Sequence, residues 1–337
     1  MSRPSVSNNL CRLLLAAAAA LLCVDAAQAQ QKYELDAEGE LRKQAELDPS
    51  TPRGKIQLVR KAVAQEEGKK AWQLADQWIA DHPNHPLLPE AYLLRADALV
   101  VQRQYFKSLF DYEHVITVYP DSEQFNTALE REYKIATKFA AGMKRIFLGM
   151  RMLPAWAEAE ELFIRIQERS PGSDVAERAS LDLGNYYFNR SEMHNAAEAY
   201  NLFLENYPKS RFREKAVLRL IRAHLATFKG PRFDATGLIE ASQRLKLFEQ
   251  EFPVSAQRLG AEGLQLRIDE SLALKSFYQA QWYERINQKV SGVYLYQQLV
   301  KQHPQTVAAK AAIRRLEQLN EPITADQSAA EADKADP

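Results

Sequence analysis

The sequence predicts an all-α fold in which helical hairpins repeat along the chain. Between Pro52 and Leu319 the apolar residues recur three and four positions apart, which is the period of an amphipathic helix. Dipeptides ending in proline interrupt this pattern at intervals, and proline cannot continue a helix. The 337 residues are 46% apolar and include only 12 glycines, which is typical of a globular protein. Disordered, collagen-like and multi-pass membrane classes are therefore excluded.

The proline breaks recur with the period of tetratricopeptide repeats. Successive breaks are 34, 37, 51, 37, 45 and 51 residues apart. A helical hairpin of this family takes 34 residues, and longer intervals indicate insertions. The sequence therefore predicts an α-solenoid of about five to six tetratricopeptide-like hairpins with insertions. The prolines concerned are Pro49, Pro83, Pro120, Pro171, Pro208, Pro253 and Pro304.

Small and large residues alternate inside the period as a tight helical hairpin requires. Counted back from Pro208, Gly184 and Ala196 supply the small crossing positions, and Tyr187 and Tyr200 supply the large side chains beside them. Two further repeats carry equivalent residues, namely Ala96, Leu99, Ser108 and Tyr112, and Ala280, Tyr283, Gly292 and Tyr296.

A hydroxyl residue stands two positions after most of these prolines and predicts the start of the next helix. A serine or threonine oxygen there accepts a hydrogen bond from a free N–H group of the first turn. The predicted N-caps are Ser122, Ser173, Ser210, Ser255 and Thr306. After Ser255, residues 256–286 read as one long helix.

The N-terminus reads as a secretory signal over residues 1–29. Arg3 and Arg12 precede an apolar run, and Ala27-Gln28-Ala29 forms a small-x-small cleavage site. Cleavage after Ala29 is favoured, and lipid attachment at Cys23 is the alternative, although the bulky Leu22 precedes it. Cleavage removes both cysteines of the chain, which excludes disulfides and cysteine-ligated zinc.

The remaining chain divides into four predicted segments. A Gln- and Glu-rich tether is followed by two groups of repeats and an acidic tail that has too few large apolar side chains to fold. Their bounds are 30–50, 51–172, 173–319 and 320–337.

Composition and motifs argue against catalysis and against nucleic-acid binding. The 44 basic residues are balanced by 44 acidic ones, and phosphate affinity needs a basic excess. No nucleophile-elbow, zinc-protease or phosphate-loop pattern occurs. His82 and His85 have metal-like spacing, but His82 occupies a repeated turn position. We expect neither an enzyme nor a bound cofactor or metal.

Two surfaces are candidates for binding a partner. The first helix of each repeat lines the concave surface of such solenoids, which places two sets of residues in a predicted groove. These are Glu90, Leu93, Asp97 and Val100 in one repeat, and Arg178, Leu181, Asn185 and Phe188 in another. Solvated positions or contacts between repeats are the alternative for each residue.

The second candidate surface is a basic stripe formed by Arg211, Lys215, Arg219 and Arg222. Spacings of four, four and three place these residues on one helix face, where they would attract an acidic protein surface or lipid phosphates. Neutralisation by glutamates of a neighbouring helix is the alternative.

The insertion at 140–157 is a third feature. It holds Met143, Met150 and Met152 beside three basic residues, a composition suited to an adaptable partner or an anionic membrane. Packing of a long loop onto the core is the alternative.

The repeat region resembles the BamD family of tetratricopeptide lipoproteins in the bacterial β-barrel assembly machinery. The resemblance covers roughly residues 52–319 in repeat architecture, and it is most specific in residues 207–211 and in the run from Phe277 to Thr306, with a turn at Asn287. It implies an exported adaptor at the inner face of the outer membrane. The N-terminal repeats would receive unfolded outer-membrane protein segments, and the C-terminal repeats would hold the periplasmic domains of the insertase.

Two other functions stay open at this point. A periplasmic scaffold of the Tol-Pal or cell-division type has more even repeats and an N-terminal coiled coil, and no heptads precede Pro52. A peripheral lipid-binding module would use the basic stripe and the insertion without a protein partner.

Overall fold

The computed structural model describes residues 33–35, 41–43, 48–147 and 150–323. These residues belong to two compact units, which divide between Gln104 and Tyr105. We call them the N-terminal unit and the C-terminal unit. The predicted signal segment 1–29 with Cys23, most of the predicted tether and the predicted tail beyond Ile323 lie outside the described residues. The predicted grouping of the repeats into 51–172 and 173–319 stays a prediction.

The described part of the N-terminal unit contains a short antiparallel strand pair and three helices. Strand β1 (Tyr33–Leu35) pairs with β2 (Leu41–Lys43). The helices are α1 (Pro52–Ala64), α2 (Gly68–Asp81) and α3 (Leu88–Val101). Small residues let the helices approach closely, since Ala62, Ala71 and Ala98 are buried together. A Cβ atom on Gly68 would lie 2.9 Å from the Ala98 carbonyl oxygen, so glycine is required there.

The C-terminal unit is a succession of helices in which each packs against the next. One strand pair interrupts it between α5 and α6. The helices are α4 (Tyr105–Val118), α5 (Phe125–Ala140), α6 (Trp156–Arg169), α7 (Asp174–Asn189), α8 (Met193–Asn206), α9 (Arg213–Thr227), α10 (Thr236–Glu251), α11 (Pro253–Leu259), α12 (Ala261–Arg285), α13 (Lys289–Gln302) and α14 (Val307–Leu319). The predicted all-α class, built from tetratricopeptide-like hairpins, is confirmed.

Most residues predicted to pack where helices cross are buried, whereas Tyr187 and Tyr283 are half-buried. Gly184 lies against the ring of Tyr200, where an added Cβ atom would be 2.6 Å from a ring carbon. Tyr200 and Ala196 are fully buried, and the equivalent residues are also buried. These are Ala96, Ser108, Tyr112, Ala280, Gly292 and Tyr296. The alternation of small and large residues therefore forms the core of each hairpin.

The predicted N-caps are confirmed at two of the five positions. Ser173 accepts a hydrogen bond from Ala176 N (3.2 Å), and Thr306 accepts one from Ala309 N (3.1 Å). At Ser122 and Ser210 an extra turn follows the proline, so the helix begins later. Ser255 lies inside α11, because Pro253 itself begins that helix.

Two predicted segments differ in the structure. The long helix predicted over 256–286 is broken at Gly260, whose φ of 69° is left-handed and ends α11 before α12 begins. The insertion is a β-hairpin rather than a loop, in which β3 (Lys144–Phe147) pairs antiparallel with β4 (Met150–Pro154). The turn at Asn287 is confirmed, with a φ of 62°.

Candidate docking surfaces

Arg178, predicted to line the groove, is engaged by the neighbouring helix. Its guanidinium donates to the carboxylate of Glu130 on α5 and lies over the ring of Tyr133, 4.7 Å from the ring centre. Both contacts join α7 to α5. Arg178 therefore links two repeats, and much of its hydrogen-bonding capacity is used inside the protein.

Asn185 is the centre of a second internal network. Its amide nitrogen donates to Asp182 (3.1 Å), and its oxygen accepts from the Tyr200 hydroxyl on α8 (2.9 Å). Asp182 also accepts from the Tyr133 hydroxyl at 2.7 Å. Burial raises the pKa of Tyr200, so this hydroxyl stays a donor. The Asn185 amide, which was expected to grip a peptide backbone, thus connects α7 to α8.

The other residues predicted for the groove are mostly covered. Leu181 is only 4% exposed, and Phe188 is half-buried beneath the Arg219 guanidinium. On α3, Leu93 is buried, and buried Glu90 accepts from Arg60 Nε at 2.5 Å. Asp97 and Val100 are half-buried. The structure therefore gives these residues internal contacts, and partner binding at the groove stays a prediction.

The basic stripe has a different environment. Arg211, Lys215, Arg219 and Arg222 line a shallow hollow of about 360 Å³, together with Glu214 and Leu218. Arg211 and Arg219 lie over the rings of Phe212 and Phe188, at 4.7 and 4.8 Å from the ring centres. Among the described residues, no carboxylate oxygen lies within 4.0 Å of the four cationic groups.

These contacts orient Arg211 and Arg219 without neutralising their charge. An aromatic ring orients a guanidinium through its quadrupole and leaves the positive charge available to a ligand. Four cations on one helix face, with a single glutamate in the hollow, produce a local positive potential. The arrangement suits an acidic surface, and its strength should decrease as salt increases.

The hairpin insertion is described in part. Met143 is half-buried and Lys144 exposed, and Ala155 N donates to the Met143 carbonyl at 3.0 Å, which closes the hairpin base. Side chains 145–154 lie outside the described set, so the predicted methionine contact surface with Met150 and Met152 stays a prediction.

The sequence interpretation missed a buried carboxyl group in α5. Glu132 is 1% exposed, and neither carboxyl oxygen has a hydrogen-bond partner among the described residues. Burial, reinforced by the charge of Glu113, raises its pKa to about 8, while Arg165 and Arg169 pair with Glu113 instead. The sequence contained the signal, because Glu132 interrupts the apolar stripe of α5 between Leu129 and Ile135.

Metal-binding clusters and membrane-crossing helices are both absent from the described residues. They contain no group of three or more His, Cys, Asp and Glu side chains arranged to hold a metal ion. The predicted turn at His82 is confirmed, because His82 follows the end of α2 and its carbonyl oxygen accepts a hydrogen bond from His85 N at 3.2 Å. No described helix combines the length and apolarity that crossing a bilayer requires.

Comparison with known proteins identifies a family match. The YfiO family model, described as "Outer membrane lipoprotein", matches residues 154–335, which is more than half of the chain. No curated protein sequence matches the chain.

Several solved structures resemble this one weakly. The C-terminal part of a TPR repeat-containing protein from Cytophaga hutchinsonii is 12% identical, with a TM-score of 0.38 over 78% of this chain and 87% of that one. PilW, a type IV pilus biogenesis factor, is 14% identical, with a TM-score of 0.30 over 78% and 99%. A putative kinesin light chain from Podosopora anserina is 17% identical, with a TM-score of 0.34 over 60% and 96%. Because these scores are low, the fold assignment rests on the helices described above.

Proposed function

The chain belongs to the YfiO family of outer membrane lipoproteins, and from this membership we propose that it is a non-enzymatic adaptor of β-barrel protein assembly. It binds the periplasmic domains of the barrel-forming insertase and presents nascent outer-membrane protein segments to it. The protein acts by binding, and no covalent bond is made or broken. It works in the periplasm, at the inner face of the outer membrane.

The basic stripe is the observation that carries this proposal. Its four cations have no carboxylate partner within the described residues, whereas Arg178 on α7 is already paired with Glu130. A set of unpaired charges on one helix face, two of them oriented by aromatic rings, favours correct orientation and a fast association rate with an acidic partner surface. The stripe therefore supports docking of the insertase through α9.

The client segment is assigned to the N-terminal repeats. An extended chain needs polar groups and shallow apolar contacts along a helix face. On α3, Asp97 and Val100 remain half-buried, so they keep some surface for such a contact. The two roles then use different repeats, which permits simultaneous binding of client and insertase.

A pull-down from detergent-solubilised envelopes tests the proposal. The exported chain is the bait, beside a variant with Arg211, Lys215, Arg219 and Arg222 changed to glutamate. A matched control changes Lys246, Arg258, Lys301 and Arg314, which are also exposed, to glutamate and so has the same net charge. We expect the wild type and the control to recover a large β-barrel protein with periplasmic domains, and the stripe variant to lose it.

Three results would contradict the proposal. Recovery of only cell-wall or Tol-Pal proteins would favour the periplasmic scaffold. Binding to liposomes of anionic lipid at the same affinity as to envelopes, with no protein recovered, would favour a lipid-binding module. Equal loss in the stripe variant and the matched control would show a dependence on net charge alone.

A further inference from the structure

A groove separates the second helices of two neighbouring repeats. Helices α8 and α10 both pack against α9, and two neighbouring hollows of about 470 and 510 Å³, both lined by Asn201, lie between them. Arg244 on α10 donates to the Asn201 side-chain oxygen on α8 at 3.0 Å, which bridges the gap where the hollows meet. We call this feature the α8/α10 groove.

Both hollows of the α8/α10 groove contain apolar side chains. Leu204 and Val217 line one hollow, and Ala197 lines the other. The large apolar side chains at the two ends are exposed, with Leu247 at 54% and Phe233 at 58%. Exposed leucine and phenylalanine beside a concave surface are typical of interaction sites, because water is released when they are covered.

The length of the groove fits a short helix. Phe233 lies just before α10 and Leu247 in its last turns, so the two are separated by roughly the rise of eleven residues, about 17 Å. A partner helix of about three to four turns spans that distance. An extended peptide would gain little here, because the backbone groups of the helical walls are already bonded within the helices and offer no strand edge.

More acidic than basic side chains line the α8/α10 groove, and some of the acidic ones have no ion-pair partner among the described residues. Five carboxylates line it against three permanent cations, namely Glu198, Glu205, Asp234, Glu240 and Glu251 against Arg213, Lys229 and Arg244. Glu251 is already paired, because its Oε1 accepts a hydrogen bond from Arg213 Nε at 2.5 Å. Within the described part of the chain, no cation lies at ion-pair distance from Glu198, Glu205 or Glu240.

The positions of these three carboxylates define the partner further. Glu198 and Glu205 are seven residues apart on α8, which places them on one rim about two helical turns from each other. Glu240 lines the opposite wall on α10. A helix lying in the groove would therefore meet negative charge on both sides of its apolar stripe.

We propose that the α8/α10 groove binds a basic amphipathic helix of a partner protein. The apolar stripe of that helix covers Leu247 and Phe233, and lysines or arginines on its flanks meet Glu198, Glu205 and Glu240. This surface is separate from the basic stripe, because Val217 and His224 line the groove from one face of α9, while Lys215, Arg219 and Arg222 occupy another.

Fluorescence anisotropy with a defined peptide tests the proposal. The probe is a fluorescein-labelled peptide of about four helical turns, with leucines every three to four residues and lysines on both flanks. One control peptide has the same composition in shuffled order, and another has glutamate in place of lysine. We expect the amphipathic basic peptide to bind the chain at least about tenfold more tightly than either control.

Protein variants locate the site. The triple variant E198Q, E205Q and E240Q should weaken binding about tenfold at low salt, and F233S with L247S should weaken it about tenfold even at high salt. The matched variant E262Q, E317Q and E321Q removes three other exposed carboxylates, and it should bind as the wild type does. At high salt, where the field of distant charges is screened, charge reversal of the basic stripe should also leave the affinity unchanged, which separates this test from the proposed docking function.

Several outcomes would overturn the proposal. These are equal binding of the shuffled peptide, no binding of the amphipathic peptide, and equal effects of the two glutamine triple variants. Self-association of the chain that disappears in the F233S and L247S variant would assign the groove to a second copy of this chain instead. Circular dichroism of each variant confirms that its helices are intact.

Discussion

The first helices α7 and α9 carry polar and basic residues in similar positions, but their side chains are paired differently. On α7, Arg178 and Asn185 contact Glu130 of α5 and Tyr200 of α8. On α9, Lys215, Arg219 and Arg222 meet no carboxylate among the described residues. A shared repeat position thus places a residue on the same helix face, and the neighbouring helix decides whether that residue remains free to bind.

The difference originates in the preceding repeat. Helix α5 presents Glu130 and the Tyr133 hydroxyl toward α7, and both act on polar groups there. Helix α7 presents the apolar ring of Phe188 to Arg219 of α9. A ring holds a guanidinium in place and leaves its charge uncompensated. We therefore expect α7 to contribute to stability and α9 to contribute to docking.

The largest expected effect is on the internal network of α7. Changing Tyr200 to alanine removes a fully buried ring beside Gly184 and should reduce the free energy of unfolding by about 4 kcal/mol. Tyr200→Phe keeps the ring and removes the hydroxyl that Asn185 accepts from, so about 1 kcal/mol should be lost. Urea unfolding measures both. A small effect of Tyr200→Ala would show that the α7 network does not hold the repeat together.

The second-largest expected effect concerns Glu132, a buried carboxyl group of α5 that belongs neither to the predicted groove nor to the basic stripe. The folded-state pKa of Glu132 is raised to about 8. Its contribution to stability is therefore complete below the unfolded pKa, about 4.3, and is lost as pH rises toward 8. Replacement with glutamine removes this dependence. As the pH rises from 5 to 8, the free energy of unfolding should fall by about 3 kcal/mol more in the wild type than in Glu132→Gln.

Urea unfolding at the two pH values checks the Glu132 prediction. Glu168→Gln, which changes an exposed glutamate of α6, is the control and should follow the wild type. Parallel pH profiles for Glu132→Gln and the wild type would mean that the carboxyl group is ionised and compensated in the folded protein.

A smaller expected effect compares the contributions of Arg178 on α7 and Arg222 on α9 to stability. Arg178→Gln breaks the contacts with Glu130 and Tyr133 and should lower the free energy of unfolding by about 1 kcal/mol. Arg222→Gln breaks no ion pair described in the structure and should change it by less than about 0.5 kcal/mol. Equal losses in the two variants, measured by thermal unfolding, would remove the distinction between α7 and α9.

Much of the fold followed from local sequence rules. Gly184, Ala196 and Tyr200 pack as predicted, because the spacing of small and large residues determines how closely two helices can cross. The local rules failed at one glycine and in one segment. Gly260 is compatible with a helix but adopts a left-handed turn, and the segment after Met143 forms a hairpin whose strands are too short to show a clear alternation.

The candidate site was less predictable than the fold. The spacing of Arg211 to Arg222 correctly placed four cations on one face, but the absence of neighbouring carboxylates depends on residues far away in the sequence. The pairing of Arg178 with Glu130 spans 48 residues, and helix periodicity cannot predict such a contact. The α8/α10 groove also arises only when three helices are packed together.

The most direct test measures stability and docking in the same set of variants. The charge-reversed basic stripe, its matched control and Arg178→Gln are compared by urea unfolding and by recovery of the β-barrel protein from envelopes. We predict that the stripe variant loses about 1 kcal/mol of unfolding free energy with the ring contacts of Arg211 and Arg219, stays folded, and recovers less than about a tenth of the barrel protein, a loss that corresponds to at least 1.4 kcal/mol. We predict that Arg178→Gln is less stable and still recovers it. Full recovery by the stripe variant, or loss of recovery in Arg178→Gln alone, would contradict the account.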